Sequence, residues 1–192
     1  IYFFFINILN FKNRDETEEQ EKIKNSINAV CKACGEMSDK KIGSLIVFEK
    51  ETKLGEISKT GTMVDAIVTS EMIGNIFFPK APMHDGAVII KEGRVVAAGC
   101  ILPLTGNKEI SSDLGTRHRA AVGISEVSDA LVICVSEETG NVSYAKGGSI
   151  TRAVSQMELR AQLAQIRNTT EENTKKFTLK KGRREDGRQV EK

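Results

Sequence analysis

The chain has 192 residues, 40% of them hydrophobic and 28% charged, enough apolar material for one packed domain with tails. A formal net charge of +2 gives no global field that would argue for nucleic acid. The charge is uneven, because from Lys175 onward eight Lys/Arg stand against three Asp/Glu.

Ile1–Phe11 is strongly apolar and holds half of the aromatic residues. Eleven residues are too few to cross a bilayer, which takes about 20 in a helix. No basic start or cleavage site marks a signal peptide. The chain does not begin with Met, as expected of a fragment or a processed product. Two readings stay open for this segment: the end of a truncated membrane span, or an amphipathic anchor. A polar stretch, Asn13–Glu21, leads into a helix with Ile23, Ile27, Val30, Cys31 and Cys34 on one face, ending near Gly35. Cys31 and Cys34 have metal-like spacing without a second pair. Together with Cys100 and Cys134 they fit core packing in a reducing compartment.

Ser44–Glu49 reads as a buried strand, and Thr52–Gly61 as a loop or short strand. Met63–Val68 is ambiguous between strand and helical turn. Ser70 is the expected cap of a short helix carrying Met72, Ile73, Ile76 and Phe77. Pro79 and Pro82 end it and hold an extended loop before His84 and Asp85. Ala87–Ile90 and Arg94–Leu102 read as a hairpin across Lys91-Glu92-Gly93. After a polar loop, Pro103–Asp113, comes a helix. Ala130–Val135 is a second apolar strand, turned back by Glu138-Thr139-Gly140-Asn141 into Val142–Ala145. A final helix is expected from about Ile150 to Arg167, and the chain beyond Asn168 reads as disordered. The pattern predicts an α/β fold with a mixed, largely antiparallel central sheet flanked by helices. No Gly-rich turn follows the first strand, so it is not a Rossmann pattern.

Gly115-Thr116-Arg117-His118-Arg119-Ala120-Ala121 puts two guanidiniums and an imidazole in consecutive positions. Small residues follow, where a solvated charge run would continue with Lys, Glu or Gln. Read as a helix start, it has Ser111, Ser112 and Asp113 as available caps, with Gly115 and Thr116 in the first turn. Cations there oppose the helix dipole, so local stability does not explain them. A bound polyanion does, because free N–H groups, the dipole and the guanidinium forks converge on it. A solvated basic turn is the other reading.

This stretch, taken with Met83-His84-Asp85-Gly86-Ala87, resembles the paired signature of bacterial diadenylate cyclases, which join two ATP molecules into cyclic di-AMP. The similarity runs from about Glu18 to Gly148. It includes Gly123-Ile124-Ser125-Glu126 and Val135-Ser136-Glu137-Glu138-Thr139-Gly140. The resemblance implies that Asp85 is catalytic, helping to activate the ribose 3′-hydroxyl and to hold a divalent metal. Without it, Asp85 also reads as an Asx-type turn before a strand. His84 is either a second metal ligand or a residue that orients the loop. Gly86 and Ala87 are expected to leave room for the nucleotide to approach the backbone.

Gly115, Thr116, Arg117, His118 and Arg119 match positions that handle the ATP phosphates, with Arg119 placed beside Asp85 as catalytic. Successive helix residues cannot all face one ligand. One arginine is therefore expected to brace the site or to reach across a subunit boundary. Ser136 and Glu137 are implied near the phosphates and metal. Glu138 reads equally as a solvated turn residue. Leu102 matches a position whose backbone contacts adenine.

The expected organisation is a membrane-proximal remnant and linker over residues 1–14, a catalytic domain over 15–167 and a basic tail over 168–192. Resemblance to the membrane-anchored branch favours the truncated-span reading, with a cytoplasmic domain on the bacterial cell membrane. It implies ATP as substrate and Mn2+, Mg2+ or Co2+ as metal. The implied partners are a second copy in a transient dimer, a YbbR-type membrane regulator and phosphoglucosamine mutase. Nucleic acid is not expected, since the tail has only Phe177 as a stacking residue. The rival is a catalytically silent module that binds ATP or cyclic di-AMP.

Overall fold

Every residue of Ser44–Phe48 and of Leu131–Val135 is buried. Apolar runs without alternation require this, because helices must cover both faces of such a strand. The computed structural model describes residues 2–107 and 114–166, with side chains from Thr17 onward. In chain order the elements are α1 (Tyr2–Asp39), β1 (Ser44–Phe48), α2 (Gly55–Ser58), β2 (Thr62–Ile67), α3 (Ser70–Ile76), β3 (Ala87–Lys91) and β4 (Arg94–Cys100). They continue with α4 (Thr116–Val127), β5 (Leu131–Val135), β6 (Val142–Lys146) and β7 (Ser149–Thr151). Helix α5 covers residues 156–166.

The strands form one seven-stranded sheet in the order β2-β4-β3-β1-β5-β6-β7. Among the described residues only the β1–β3 pairing is parallel, with Ile46 opposite Val88, and β1 runs antiparallel to β5 on its other side. Alternation divides the core. Ile46 and Phe48 join Val88, Ile90 and Ile133 under α1, α3 and α5. Leu45 and Val47 join Ile89, Val132 and Cys134 under α4. Each such aliphatic side chain contributes roughly 1.5–3 kcal/mol by leaving water. The mixed, largely antiparallel sheet between helix layers agrees with the expected fold.

Four local expectations need correction. The first helix does not stop near Gly35 but continues to Asp39, and a Cβ at Gly35 would strike the Gln156 side chain of α5. Gly35 is thus a point of helix–helix contact. The loop expected over Thr52–Gly61 contains α2. The cap of α3 is Thr69, whose Oγ1 accepts from the Met72 N–H at 3.0 Å, and Ser70 lies within the helix.

The last helix also starts later than Ile150. Ser149–Thr151 pairs with β6 as a third hairpin strand. The helix then opens on a capping box, in which Glu158 N–H donates to Ser155 Oγ and Ser155 N–H to Glu158 Oε2 at 2.7 Å. Met63–Val68 resolves as strand, with a register shift between Met63 and Ala66. Ser111, Ser112, Asp113 and the tail beyond residue 166 lie outside the described residues. Among the described residues no helix is long and apolar enough to cross a membrane.

Candidate active site

Three connections converge at one end of the sheet: the loop entering β3, the start of α4 and the turn leaving β5. Between them is a cavity of about 980 Å3. It is lined by His84, Asp85 and Gly86 from the first, Gly115–His118 from the second, and Ser136–Thr139 from the third. The two sequence motifs therefore face one space.

The loop before β3 turns on backbone bonds, with His84 N–H donating to the Ala81 carbonyl at 3.1 Å. The His84 Nδ1 lies 2.6 Å from the same carbonyl. A carbonyl only accepts, so Nδ1 donates to it, and in the neutral ring Nε2 would keep its lone pair. That tautomer leaves an imidazole nitrogen able to bind a metal next to the exposed carboxylate of Asp85. Among the described residues no group of three His, Cys, Asp or Glu could hold a metal by itself. A pair of N and O donors suits a divalent ion that takes its other ligands from phosphate and water.

Gly86 is held to glycine by its backbone conformation and by a neighbouring strand. Its φ is +104°, and a Cβ there would lie 2.6 Å from the Gly99 carbonyl carbon and 2.8 Å from the Cys100 oxygen. The close pass of β4 demands it, and Gly86 also lines the cavity. Ala87 is fully buried in β3 opposite Cys100 and does not line the cavity. Leu102 follows the end of β4, 7% exposed, and lines the cavity while packing in the core.

Helix α4 begins at Gly115, which supplies no side-chain cap. A helix start that lines a cavity is the arrangement that can hold an anion through backbone N–H groups. The arginines part company. Arg117 Nη1 meets Glu137 Oε2 at 2.9 Å, and its Nε is buried without a partner. Arg119 is absent from the lining and donates to the Thr105 carbonyl at 3.3 Å. Thr105 N–H in turn donates to the Arg119 carbonyl, so Arg119 braces the loop after β4. His118 and Thr116 line the cavity.

Ser136 caps the turn after β5, its Oγ accepting from the N–H groups of Thr139 at 3.2 Å and Glu138 at 3.3 Å. Glu137 and Glu138 project from that turn and are exposed. Beneath the site, burial pushes the Cys134 thiol up to about 12, against the opposing charge of Arg117. Burial likewise raises Cys100 to about 11, against a backbone hydrogen bond from Gly61. All four cysteines are buried and unbridged, in keeping with core packing.

Sequence reasoning missed Arg152, a cation lining the same cavity just after β7, along with Asn141 and Ser143. Extending the final helix back to Ile150 concealed it. The β-branched pair Ile150-Thr151 after Gly147-Gly148 was the available sign of a hairpin.

The chain is thus an α/β domain in which an imidazole–carboxylate loop faces a basic helix start across one cleft. Residues 31–150 match the family model described as DisA bacterial checkpoint controller nucleotide-binding, DAC, and the chain belongs to that family. It is 45% identical over 165 residues to the cyclic di-AMP synthase CdaA of Bacillus subtilis, covering 85% of this chain and 60% of that protein. It is 45% identical over 133 residues to a diadenylate cyclase of Listeria monocytogenes, covering 69% and 49%. The chain thus spans about half to three fifths of these relatives' length. Among solved structures, DacA from Staphylococcus aureus superposes with a TM-score of 0.73 at 45% identity, covering 74% of this chain and 95% of that one. A membrane-spanning protein from Bacillus cereus, described as hypothetical, gives 0.65 at 44% identity, covering 67% and 63%.

Proposed function

We propose that this chain carries diadenylate cyclase activity, condensing two ATP into cyclic di-AMP and two pyrophosphates. The observation that carries the reading is the single cavity lined both by Asp85 and by Thr116, Arg117 and His118. The names of the relatives support the same reaction. Each ribose 3′-oxygen bonds to the other nucleotide's α-phosphorus, and the bond from that phosphorus to the bridging oxygen breaks as pyrophosphate leaves. Asp85 accepts the hydroxyl proton. Thr116, the N–H groups at the start of α4, and the Arg117 and His118 side chains hold phosphate oxygens as charge develops. Arg119 assists by fixing the loop after β4, and Ser136 by holding Glu137 at the cavity edge. The backbone beside Leu102 receives adenine.

Asp85 and the Nε2 of His84 would hold a divalent ion, Mn2+, Mg2+ or Co2+, with nucleotide phosphates completing its ligands. When bound, such an ion supplies charge neutralisation at the phosphates. The imidazole nitrogen favours Mn2+ or Co2+ over Mg2+ in this position.

The apolar segment Ile1–Phe11 and the membrane-spanning description of the B. cereus relative support a cytoplasmic domain anchored to the membrane. Resemblance alone supports a YbbR-type regulator and phosphoglucosamine mutase as partners. The test is incubation with ATP and each metal, followed by chromatography for cyclic di-AMP. Product confirms a cyclase. Tight ATP or cyclic di-AMP binding without product assigns a silent binding module instead.

A further inference from the structure

Gly43 has a structural relationship to the cavity that the motifs do not contain. It is buried at the entry to β1, between the end of α1 and the first buried strand. A Cβ built on it would lie 2.8 Å from Arg117 Nη1, 2.9 Å from Arg117 Cζ and 3.0 Å from Glu137 Oε2. All three nearest atoms belong to the ion pair that borders the cavity. We propose that Gly43 is a positioning residue for the nucleotide site, its missing side chain forming the seat that holds the Arg117 guanidinium against Glu137.

Backbone freedom does not explain the glycine. Gly43 is not among the residues with positive φ, so alanine fits its conformation. What alanine does not fit is the guanidinium, which must move because the distances are shorter than real Cβ contacts. The atoms in the way are the far end of a flexible side chain, so they yield without moving the backbone.

Arg117 is especially sensitive to such a push. Its Nε is buried without a hydrogen-bond partner, so no second bond on that nitrogen anchors the fork. Its placement depends on the 2.9 Å contact with Glu137 and on the wall behind it. Glu137 is 62% exposed, and Arg117 only 23%. The arginine is therefore the more buried member of the pair, and the exposed carboxylate rests against it. Moving the guanidinium shifts both the phosphate donor on α4 and the acidic group on the β5 turn.

The inference rests on the nucleotide reading of the cavity, so the experiment measures binding as well as turnover. Wild type, Gly43→Ala, Glu137→Gln and the double variant are compared by thermal melting, by affinity for a non-hydrolysable ATP analogue with Mn2+, and by kcat and KM for cyclic di-AMP formation. Gly43→Ala should melt within a few degrees of wild type and lose about tenfold in analogue affinity, the size of one charge-assisted contact. In the Glu137→Gln background the same change should cost less than about twofold, because the pair it disturbs is already weakened.

Wild-type affinity in Gly43→Ala overturns the proposal. So does an undiminished loss in the Glu137→Gln background, or a collapse in melting temperature, which would place the clash in the fold. A wild type that binds the analogue without making product fails the cyclase reading and leaves the positioning role to the affinity ratio. A wild type that binds no analogue overturns both.

Discussion

The Ser38 hydroxyl donates to the Gly140 carbonyl at 2.6 Å, tying the last turn of α1 to the turn that carries Ser136 and Glu137. Gly140 is buried with φ +78°, and a Cβ there would press on the Ser38 carbonyl, so the two segments touch backbone to backbone. Ser38→Ala leaves the Gly140 carbonyl without that donor. We expect a stability loss of about 1–3 kcal/mol and a raised KM for ATP, read by denaturant unfolding and steady-state kinetics. Unchanged stability would mean that the turn does not depend on α1.

Asp85→Asn keeps the shape of the side chain and removes its charge. Asp85 is exposed at the cavity edge, so folding should change by less than about 0.5 kcal/mol. Cyclic di-AMP formation should collapse. Near-normal turnover with an unchanged melting curve would remove Asp85 from the reaction.

The two arginines of α4 should fail in different ways. Arg117→Ala removes a side chain that lines the cavity. It should weaken ATP handling by roughly 1.5–3 kcal/mol, the worth of a charge-assisted contact. Arg119→Ala removes the donor to Thr105 and should cost about 1 kcal/mol of stability along with turnover. A Cβ on Gly123 would strike the Pro103 carbonyl, so the loop that Arg119 braces lies directly on α4. If unfolding and kinetics change in parallel for both variants, this division of labour is wrong.

The buried central strands and the β3–β4 hairpin were legible because their signals are local. Leu45–Phe48 and Leu131–Val135 are apolar without interruption, and Gly93 marks the tip of the β3–β4 hairpin. The paired motifs were legible as a site because both sit at chain connections, and the cavity brings them together. The roles of the glycines were not legible. Gly35, Gly43 and Gly86 each face a segment far away in sequence, and no local pattern encodes a tertiary approach. The split between Arg117 and Arg119 was anticipated only as a choice of one from two, since it depends on the loop at Thr105. Arg152 was hidden by the extended helix, although Ser155 and Glu158 already spelled a capping box.

Burial of Cys134 gives a prediction about alkaline pH. Its thiol ionises near 9.0 in an ordinary environment and is pushed up to about 12 in the fold by burial. Above pH 9 the unfolded chain therefore binds fewer protons than the folded one. The stabilisation is complete below that pH and is lost as pH rises toward 12, at no more than about 1.4 kcal/mol per pH unit. Cys134→Ala should be less stable at neutral pH, because it empties core space. Between pH 9 and pH 11 its stability should fall less steeply than that of wild type. Parallel slopes in urea unfolding would contradict this source of alkaline sensitivity.

Cyclic di-AMP, the product proposed above, joins two adenylates twice, yet the chain presents one Asp85 and one basic helix start to its cavity. A two-fold axis between two bound nucleotides supplies both bonds with one set of residues, because a symmetric dimer repeats the same patch. The cavity rim suits such a partner. Ile101 and Leu104 line it and remain 70% and 55% exposed, apolar area that a second copy would cover. The two ATP molecules would help to bridge the halves, so the dimer need not dominate without them. Specific activity should then fall on dilution through the dimerisation constant. Leu104→Glu should reduce it further at a given concentration, and the deficit should shrink as enzyme concentration is raised. Enzyme concentration is varied with mass measured in parallel, in the presence of analogue and metal. Constant specific activity from a species that stays monomeric, or full activity in Leu104→Glu, would sink the two-fold arrangement.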